Sequence, residues 1–472
     1  MALPETLAAW RAAEPALNTL CAQAQALGAH LWLVGGAVKR ALAQADAPPE
    51  DIDVCVVGAS AQRLTRTLAD ETGGHYLALD PAFGIYRAAL GARTFDLAEA
   101  LHDDMSLDLA RRDLTMNAMA VNLADGALLD PFEGERDWRA GVIRMIDARN
   151  FDDDPLRLLR AFRFMAHARQ GQLDGATREA IAARAARAAE PAGERLHVEF
   201  LKLLSAPQSF DALAAMAQSG VLEALLPEMT PMRGVPPNAH HHLGLFEHTL
   251  ELARQCERLL PTLTGEAQAY FDQALTPFTT RAGLVKLGCL LHDVGKPQTW
   301  VIQPNGRHTF YGHDKASETM AEAVARRWKL SRSLTERLKK LTRWHLYPCQ
   351  FGPASSRRSI LKFLRRLQDD ALDVTLLALA DRHSTLGPEI TPQTLETADA
   401  HHRWLMAQTF AEAETMRLPP LLDGKTVMTL LDLAPGPDVG RALAALSEAH
   451  QLGEIGDADQ ARAWLLKRFK PE

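Results

Sequence analysis

The sequence predicts an α+β N-terminal part followed by an all-α remainder. Within roughly the first 150 residues, short apolar runs bounded by turn residues alternate with segments of helical period. From about residue 152 onward the apolar residues recur with a period near 3.6, with frequent Ala and Leu. Clusters of Pro and Gly interrupt this helical region and indicate boundaries within it. A chain of 472 residues is long enough for about two to four domains.

The predicted elements follow from the apolar pattern in chain order. We expect strands near 31–34, 52–57, 85–90, 94–97, 118–123 and 142–146. The patterns between them predict helices at about 37–44 and 60–72. Proline-rich segments lie near 231–238 and at 419–420, and a looser segment lies at 303–307. We therefore expect four parts: 1–150, 151–230, 231–415 and 416–472.

Composition limits the class of protein. The net charge is −7, so any RNA binding must use a locally basic surface. The five cysteines are widely spaced and form no Cys-x-x-Cys, which argues against a disulfide framework or a zinc ribbon. No apolar stretch is long enough for a bilayer, and the first residues lack a signal-peptide pattern. We expect a soluble, cytoplasmic protein with no membrane partner.

Two short motifs near the N-terminus predict a metal and phosphate site. Gly35 and Gly36 end one apolar run, and Asp51 and Asp53 open another. Residues i and i+2 of a strand point to the same face, so the two carboxylates can aim at one spot. Mg²⁺ prefers such oxygen ligands, and glycines allow backbone N–H groups to approach a phosphate. Lys39 follows the glycines and adds a positive charge.

A second segment carries charges suited to a nucleotide. Arg111, Arg112, Asp113 and Asn117 lie within seven residues of one another. Arginine offers several planar donors to phosphate, and the Asp and Asn could contact ribose hydroxyls. Taken alone, the segment is equally compatible with a solvated charged turn.

A third segment could recognise a nucleobase. Three aspartates ending at Asp154, followed by a proline, indicate a helix N-terminus, with Arg157 three residues on. Cytosine and adenine each present an amino donor beside a ring-nitrogen acceptor, and uracil and guanine reverse that order. An Asp and an Arg side by side can accept the first pair and reject the second. Arg160 and Arg163 continue the helix and add donors for phosphate; a capped helix with a surface ion pair is the plain alternative.

The helical region contains an ordered series of histidines and aspartates. Imidazole and carboxylate together suit Ni, Mn, Co, Fe or Zn, and Mg²⁺ more weakly. The series contains His248, His292, Asp293, His313, His345 and Asp381. An adjacent His-Asp pair, completed by one distant His and one distant Asp, could bind a second metal ion.

The N-terminal motifs, in this order, resemble the bacterial-type tRNA nucleotidyltransferase and poly(A) polymerase family, the CCA-adding enzymes. The resemblance covers about 30–225 and includes a later Glu-Arg motif at 194–199. It implies a nucleotidyltransferase head of the DNA polymerase beta superfamily and a helical neck. It further implies that Asp51 and Asp53 hold two Mg²⁺ ions, with Asp96 as a third carboxylate. Asp154 and Arg157 would select the base. The sequence departs from the family at 39–40, where Lys-Arg stands for the usual Arg-Asp.

The histidine series resembles the HD phosphohydrolase superfamily, which a subset of CCA-adding enzymes carries. The resemblance implies His248, His292, Asp293 and Asp381 as ligands, and the other two histidines match two-metal versions of the site. The segment 416–472 is similar to the C-terminal tail of bacterial members, where it helps to hold tRNA.

The resemblance implies addition of CMP and AMP from CTP and ATP to the 3′ end of tRNA. The HD part implies phosphatase or 2′,3′-cyclic phosphodiesterase activity. Poly(A) synthesis ranks second, because a Gly-Arg-Arg-Phe-type segment after Asp53 is missing. Addition of CC alone or A alone stays open, as does a phosphohydrolase or RNA-binding scaffold with an inactive head. The oligomeric state is not indicated.

Overall fold

A computed structural model describes residues 3–238, 242–387 and 390–469. The chain forms two compact units. The first comprises Met1–Leu203 and Asp211–Leu225, and the second Leu204–Phe210 and Leu226–Glu472. The first unit therefore contains both the predicted head and most of the predicted neck. The division at 150, 230 and 415 stays a prediction.

The first unit is built on a mixed sheet. Its strands are β1 (His30–Val34), β2 (Asp51–Val57), β3 (His75–Asp80), β4 (Ile85–Leu90), β5 (Arg93–Glu99), β6 (Ala120–Asn122) and β7 (Leu128–Leu129), in the spatial order β3-β4-β5-β2-β1-β6-β7. Strands β2 and β5 are parallel, and the other neighbours are antiparallel. A separate parallel pair is formed by β8 (Val142–Ile143) and β9 (Gln172–Leu173).

The strands at 31–34, 52–57, 85–90 and 94–97 are confirmed. The strand expected at 142–146 is shorter and lies outside the main sheet. β3 was not predicted, although residues 76–79 form a short apolar run; it is an edge strand, and most of its residues are exposed.

The helices of the first unit cover the sheet and extend beyond it. They are α1 (Leu3–Ala13), α2 (Pro15–Ala26), α3 (Gly36–Leu42), α4 (Ala61–Thr72), α5 (Met105–Ala110), α6 (Gly134–Ala140), α7 (Arg149–Asp153), α8 (Leu156–His167), α9 (Gly175–Ala182), α10 (Gly193–Leu204), α11 (Phe210–Ser219) and α12 (Val221–Leu225). One core cluster joins Trp10, Leu20 and Leu64 of the helices to Leu33 and Phe95 of the sheet. Burial of these side chains fixes the strands that carry Asp51, Asp53 and Asp96.

The second unit is mainly helical. Its helices are α13 (Leu245–Leu259), α14 (Gly265–Asp272), α15 (Arg281–Leu291), α16 (Lys296–Thr299), α17 (His313–Arg327), α18 (Arg332–Trp344), α19 (Arg357–Leu367), α20 (Ala371–Ser384), α21 (Pro392–Ala411), α22 (Ala413–Met416), α23 (Gly424–Leu431), α24 (Pro437–Gln451) and α25 (Ala458–Phe469). Two small hairpins interrupt them, β10 (Ala274–Thr276) with β11 (Thr279–Thr280), and β12 (Val301–Ile302) with β13 (His308–Thr309). The second hairpin encloses the looser segment at 303–307.

The last three helices pack on a core of their own, which includes Val427, Leu446 and Leu465. Within the described ranges, no helix has the length and apolar character needed to cross a membrane.

Candidate functional sites

One pocket of about 520 Å³ in the first unit gathers most of the residues predicted to bind nucleotide. Its predicted members are Gly35, Gly36, Lys39, Asp53, Arg112, Asp113, Asn117, Asp154, Arg157, Arg160 and Arg163. Leu156, Phe164 and Arg195 also line it and were not among the predicted site residues. Asp51, Asp96 and Arg111 are not lining residues of this pocket. The wall is thus mainly basic, with three carboxylates on it, those of Asp53, Asp113 and Asp154.

The acidic part of the site lies on two parallel strands. Asp53 of β2 stands opposite Asp96 of β5, and Asp51 stands opposite Thr94. The Thr94 hydroxyl donates to Asp51 Oδ1 at 2.6 Å. Arg87 of β4 donates to both oxygens of Asp96, at 2.6 and 2.7 Å. Asp96 is therefore already paired, and its part in catalysis stays a prediction.

The carboxylate of Asp53 is largely buried and lies beside two other carboxylates, those of Asp96 and Asp51. Burial, and next the neighbouring Asp96, raise the pKa of Asp53 to about 6. Arg112 and Arg87 oppose this shift without cancelling it. A divalent cation beside Asp53 would relieve the repulsion, and oxygen donors at this place fit Mg²⁺.

The glycine turn is shaped around Asp53. Gly35 follows β1 with φ +66°, in the left-handed region that glycine tolerates best. A Cβ atom at this position would lie 2.9 Å from Asp53 Oδ2. The missing side chain therefore leaves room for the carboxylate and for anything it binds.

Gly35→Ala is expected to reduce nucleotide transfer by about tenfold to a hundredfold, because the methyl group displaces Asp53. Gly28→Ala is a matched control, since Gly28 also has φ +66° but no atom within 4 Å of its added Cβ. Both changes add backbone strain of about 1–2 kcal/mol. Thermal unfolding and steady-state incorporation assays on both variants check this. Equal activities in the two variants would contradict the role assigned to Gly35.

Asp113 is a buried anchor for its basic neighbours. Its Oδ2 accepts from Arg160 Nε at 2.7 Å, and its Oδ1 accepts from Asn117 Nδ2 and the Leu114 amide at 2.9 Å each. Burial alone would raise the pKa of Asp113, but Arg160 and these hydrogen bonds hold it below its usual range. Asp113 therefore orients Arg160 and Asn117 toward the pocket. Direct contact of Asp113 with nucleotide stays a prediction.

Lys39 lies deep in the same wall. Its ammonium donates to Asn117 Oδ1 at 2.9 Å and lies 4.7 Å from the centre of the Phe164 ring. Burial lowers the pKa of Lys39 to about 8; Asp113 opposes the shift, and Arg163 and Arg160 add to it.

The low pKa of Lys39 predicts an alkaline limit on nucleotide binding. As pH rises from 7 to 9.5, KM for the nucleoside triphosphate is expected to rise, because the ammonium loses its charge near pH 8 rather than above pH 10. Lys39→Arg keeps its charge over this range, so its KM should stay nearly constant. KM measured against pH for both proteins checks this, with Arg40→Lys as an exposed neighbouring control. The same alkaline rise in Lys39→Arg would contradict it.

The two residues predicted to select the base both line the pocket, and each is held by a third residue. The carboxylate of Asp154 accepts from Arg195 of α10 at 2.8 and 3.2 Å. Arg157 donates to the backbone carbonyl of Asn150 at 2.9 Å. Arg163 is held in the same way by Glu199, at 2.6 Å. The partners differ from the expected Asp154–Arg157 pair because α10 packs beside the start of α8.

The Glu-Arg motif at 194–199 therefore supplies two of these partners, Arg195 and Glu199. The sequence marked the motif but not its contacts. Asn150 acts through its backbone oxygen, and no side-chain pattern could have indicated it. Arg111 is paired with Asp108 at 2.8 Å.

The second unit brings all six predicted metal ligands together. They form two groups, His248 with His292 and Asp381, and Asp293 with His313 and His345. Within each group the ligand atoms lie within 4.8 Å of one another. His292 Nε2 is 2.9 Å from Asp293 Oδ2, which links the groups.

Hydrogen bonds orient three of the histidine rings so that Nε2 of each faces the centre. Nδ1 of His292, His313 and His345 each lies 2.8 Å from a backbone carbonyl oxygen. A carbonyl only accepts, so Nδ1 carries the proton and Nε2 keeps its lone pair.

Several buried nitrogen and oxygen atoms at this centre have no hydrogen-bond partner among the described residues. His292 Nε2, Asp293 Oδ1 and Asp381 Oδ1 are buried and form no hydrogen bond of acceptable geometry with any of the described residues. Unsatisfied buried polar atoms are costly unless something else binds them. A set of imidazole nitrogens and carboxylate oxygens aimed at one place fits a transition-metal ion.

Family comparisons agree with both sites. The protein-family model described as "Poly A polymerase head domain" matches residues 96–144. A second family model, "Probable RNA and SrmB- binding site of polymerase A", matches residues 172–233. The HD domain model matches 245–386. Fold and sites together define a nucleotidyltransferase with an attached HD domain. Both domains imply the use of divalent metal ions.

Sequence relatives define the family more closely. The chain is 34% identical to an "A-adding tRNA nucleotidyltransferase" of Deinococcus radiodurans, over 85% of this chain and 87% of the relative. It is 33% identical to a "CC-adding tRNA nucleotidyltransferase" of Thermus thermophilus, over 92% of each chain. The chain belongs to the bacterial tRNA nucleotidyltransferase family.

The fold is shared with solved structures. A CCA-adding enzyme in complex with ATP superposes with a TM-score of 0.63 at 20% identity, over 96% of this chain and 94% of that one. The CCA-adding enzyme of Thermotoga maritima with tRNA superposes with a TM-score of 0.58 at 20% identity, over 99% and 98%.

Proposed function

We propose that the head pocket transfers CMP and AMP from CTP and ATP to the 3′ end of tRNA without a nucleic-acid template. One observation carries the proposal: a single pocket joins Asp53 and the glycine turn to Arg112, Lys39 and the Asp154–Arg157 segment. The pocket therefore holds acidic, phosphate-binding and base-reading groups at once. The names of the relatives, which act on tRNA, support the same substrate.

Asp51 and Asp53 are the residues that would hold Mg²⁺ in the head. When bound, Mg²⁺ stabilises the charge of the triphosphate and lowers the pKa of the attacking hydroxyl. The chain itself contributes Arg112 and Lys39 toward the phosphates, with Asn117 holding Lys39 in place. Arg160, fixed by Asp113, adds a further donor.

Arg157→Ala is expected to relax discrimination against UTP and GTP by about tenfold to a hundredfold, because the site loses the donor that pairs with the correct base. The ratio of kcat/KM for CTP to that for UTP checks this. Arg178→Ala, an exposed neck arginine on α9, is the control. An unchanged ratio in Arg157→Ala would remove the base-selection role.

Which nucleotides are added is the finer question. The relatives at 34% and 33% identity are an A-adding and a CC-adding enzyme, so either partial activity is the alternative to complete CCA addition. Three tRNA substrates, ending at the discriminator base, at C and at CC, with labelled CTP or ATP, separate the cases. A CC-adding enzyme extends only the first two with CMP, and an A-adding enzyme extends only the third with AMP. Long A tracts would instead indicate poly(A) synthesis.

The HD centre supports a second proposed activity, metal-dependent hydrolysis of phosphate esters. The reaction would be that of a phosphatase or of a 2′,3′-cyclic phosphodiesterase. The six ligands grouped in two sets carry this proposal. Ni, Mn, Co, Fe or Zn suits the donor set better than Mg²⁺. Hydrolysis of 2′,3′-cyclic AMP after loading with each metal tests it.

All five cysteines are free thiols, which fits a protein that works in the reducing cytoplasm.

A further inference from the structure

The HD centre opens into a groove of about 630 Å³ that contains more than a metal site needs. His313 belongs both to the metal ligands and to the groove lining, so the groove leads to the centre. Arg307 gives the lining an exposed positive charge, and Lys296, which also lines the groove, is paired with Asp293. Tyr311, also on the lining, is 81% exposed. An aromatic ring left in solvent beside cations is a feature of surfaces that stack nucleobases.

Trp344 also lines this groove and lies next to two guanidinium groups. The Arg343 and Arg366 guanidinium carbons are each 4.8 Å from the centre of the Trp344 ring. Arg366 belongs to the next helix, α19. Trp344 therefore connects the groove of the HD centre to the surface of α19.

The exposed face of α19 is basic. A second groove of about 640 Å³ lies along it and is lined by Ser356, Arg358, Ser359, Lys362, Arg365, Arg366 and a single acidic residue, Glu448. Arg358 and Arg365 are paired with that glutamate, at 3.3 and 3.5 Å. Lys362 and Arg366 are exposed and form no ion pair with any described residue.

These features form one continuous strip from Lys362 through Arg366 and Trp344 to Tyr311 and the HD centre. A mononucleotide would be fully accommodated by the first groove alone. Lys362 and Arg366 line the second groove and not the first. They can therefore contact a substrate only if it continues past Trp344 as a chain of phosphates. Their charge also contrasts with the net charge of −7 of the whole protein.

We propose that this strip guides the single-stranded 3′ end of an RNA into the HD centre. The proposal rests on the phosphohydrolase function proposed above and names its substrate class. Bases stack on Tyr311 and Trp344, and Lys362 and Arg366 contact backbone phosphates. The reaction is hydrolysis of the terminal phosphate ester: a water oxygen bonds to phosphorus, one ester P–O bond breaks, and the departing oxygen takes up a proton.

A crosslinking experiment on the full-length protein tests the path without relying on activity. The probe is a 12-nucleotide RNA that ends in 4-thiouridine with a 3′ phosphate. We expect its main crosslinks on the peptides that carry Tyr311 and Trp344, reduced at least about fivefold in K362Q/R366Q. For binding of the same RNA to K362Q/R366Q, the slope of log K against log salt should be less steep by about 1.4 than for the wild type, because two phosphate contacts are removed.

The matched control is R332Q/R403Q. These two exposed arginines lie in the same unit outside both grooves, and Arg332 is at the other end of α18 from Trp344, about 18 Å along the helix. This variant should keep both the crosslinks and the salt slope. Crosslinks confined to the first unit, or an equal loss in both double variants, would overturn the proposal.

Rates of hydrolysis distinguish the proposed RNA guidance from the phosphohydrolase activity on which it rests. For K362Q/R366Q, kcat/KM for the RNA with a 2′,3′-cyclic end should fall about tenfold relative to kcat/KM for 2′,3′-cyclic AMP. An unchanged ratio would remove RNA guidance while leaving the phosphohydrolase intact. If the wild type hydrolyses neither substrate with any metal, the phosphohydrolase fails, and the crosslinks and salt slope still decide whether RNA follows the strip.

Discussion

Asp53→Asn is expected to lower CMP and AMP incorporation by at least about a thousandfold while tRNA binding survives. The substitution removes the one carboxylate of the Asp51–Asp53 pair that lines the nucleotide pocket. Without it the site loses the charge that would hold a divalent cation beside the triphosphate, and the electrostatic stabilisation of phosphoryl transfer goes with it. Incorporation of labelled nucleotide and a gel-shift assay with tRNA, run on the same preparation, check both halves.

The same variant should gain stability in the absence of metal. The pKa of Asp53 is raised to about 6 in the fold, above its ordinary value of 3.8, so the ionised carboxylate destabilises the folded state. That penalty is absent below about pH 4, grows as pH rises through 6, and is complete above it. At pH 7 and without metal, Asp53→Asn should therefore unfold with a free energy up to about 3 kcal/mol higher than the wild type.

Loss of activity together with a gain in stability distinguishes a chemical role from unfolding. Asp70→Asn on the exposed side of α4 is the control and should change neither quantity. Full incorporation by Asp53→Asn would contradict the assignment of metal binding to the carboxylate pair.

Asp293→Asn is expected to empty the HD centre of metal and to abolish phosphohydrolysis, with a loss of at least about a thousandfold. Asp293 joins the two ligand groups, with Oδ2 2.9 Å from His292 Nε2 and Oδ1 3.3 Å from His313 Nε2. Lys296 Nζ lies 2.5 Å from the same carboxylate and would be left without its partner. Metal content per chain, measured by mass spectrometry, and hydrolysis of 2′,3′-cyclic AMP check the two effects.

Asp314→Asn is the matched control, because Asp314 follows the ligand His313 but pairs with Arg343 and belongs to neither ligand group. It should keep its metal. Nucleotide incorporation by the head should continue in Asp293→Asn. Metal retained at the wild-type level in Asp293→Asn would exclude this residue as a ligand.

Much of the head could be predicted because its signals are local. The apolar runs predicted the strands that carry Asp51, Asp53 and Asp96, and the i, i+2 rule put the first two on one face. The edge strand β3 was missed although residues 76–79 are apolar, and the structure leaves most of its residues exposed at the edge of the sheet. The N-terminal helices α1 and α2 were also absent from the expectation, although their buried faces complete the core.

Several partners of the site residues could not be predicted, because they depend on how separate strands and helices pair and pack. Arg87 reaches Asp96 only because β4 and β5 pair in a particular register. Arg195 reaches Asp154 across 41 positions. Such pairs depend on how helices and strands pack, and a single sequence contains no local signal for that distance.

The sequence by itself determined the class of chemistry: two carboxylates beside a glycine turn, an Asp and an Arg at a helix start, and six metal-ligand residues in order. Residue type and short spacing were enough for this, because ligand chemistry and strand or helix periodicity are local properties. Only the tertiary structure decided which of these groups share a pocket, which are already paired, and that Asp113 anchors its neighbours. It also revealed the strip along α19, since burial and long-range pairing set the charge and freedom of each side chain.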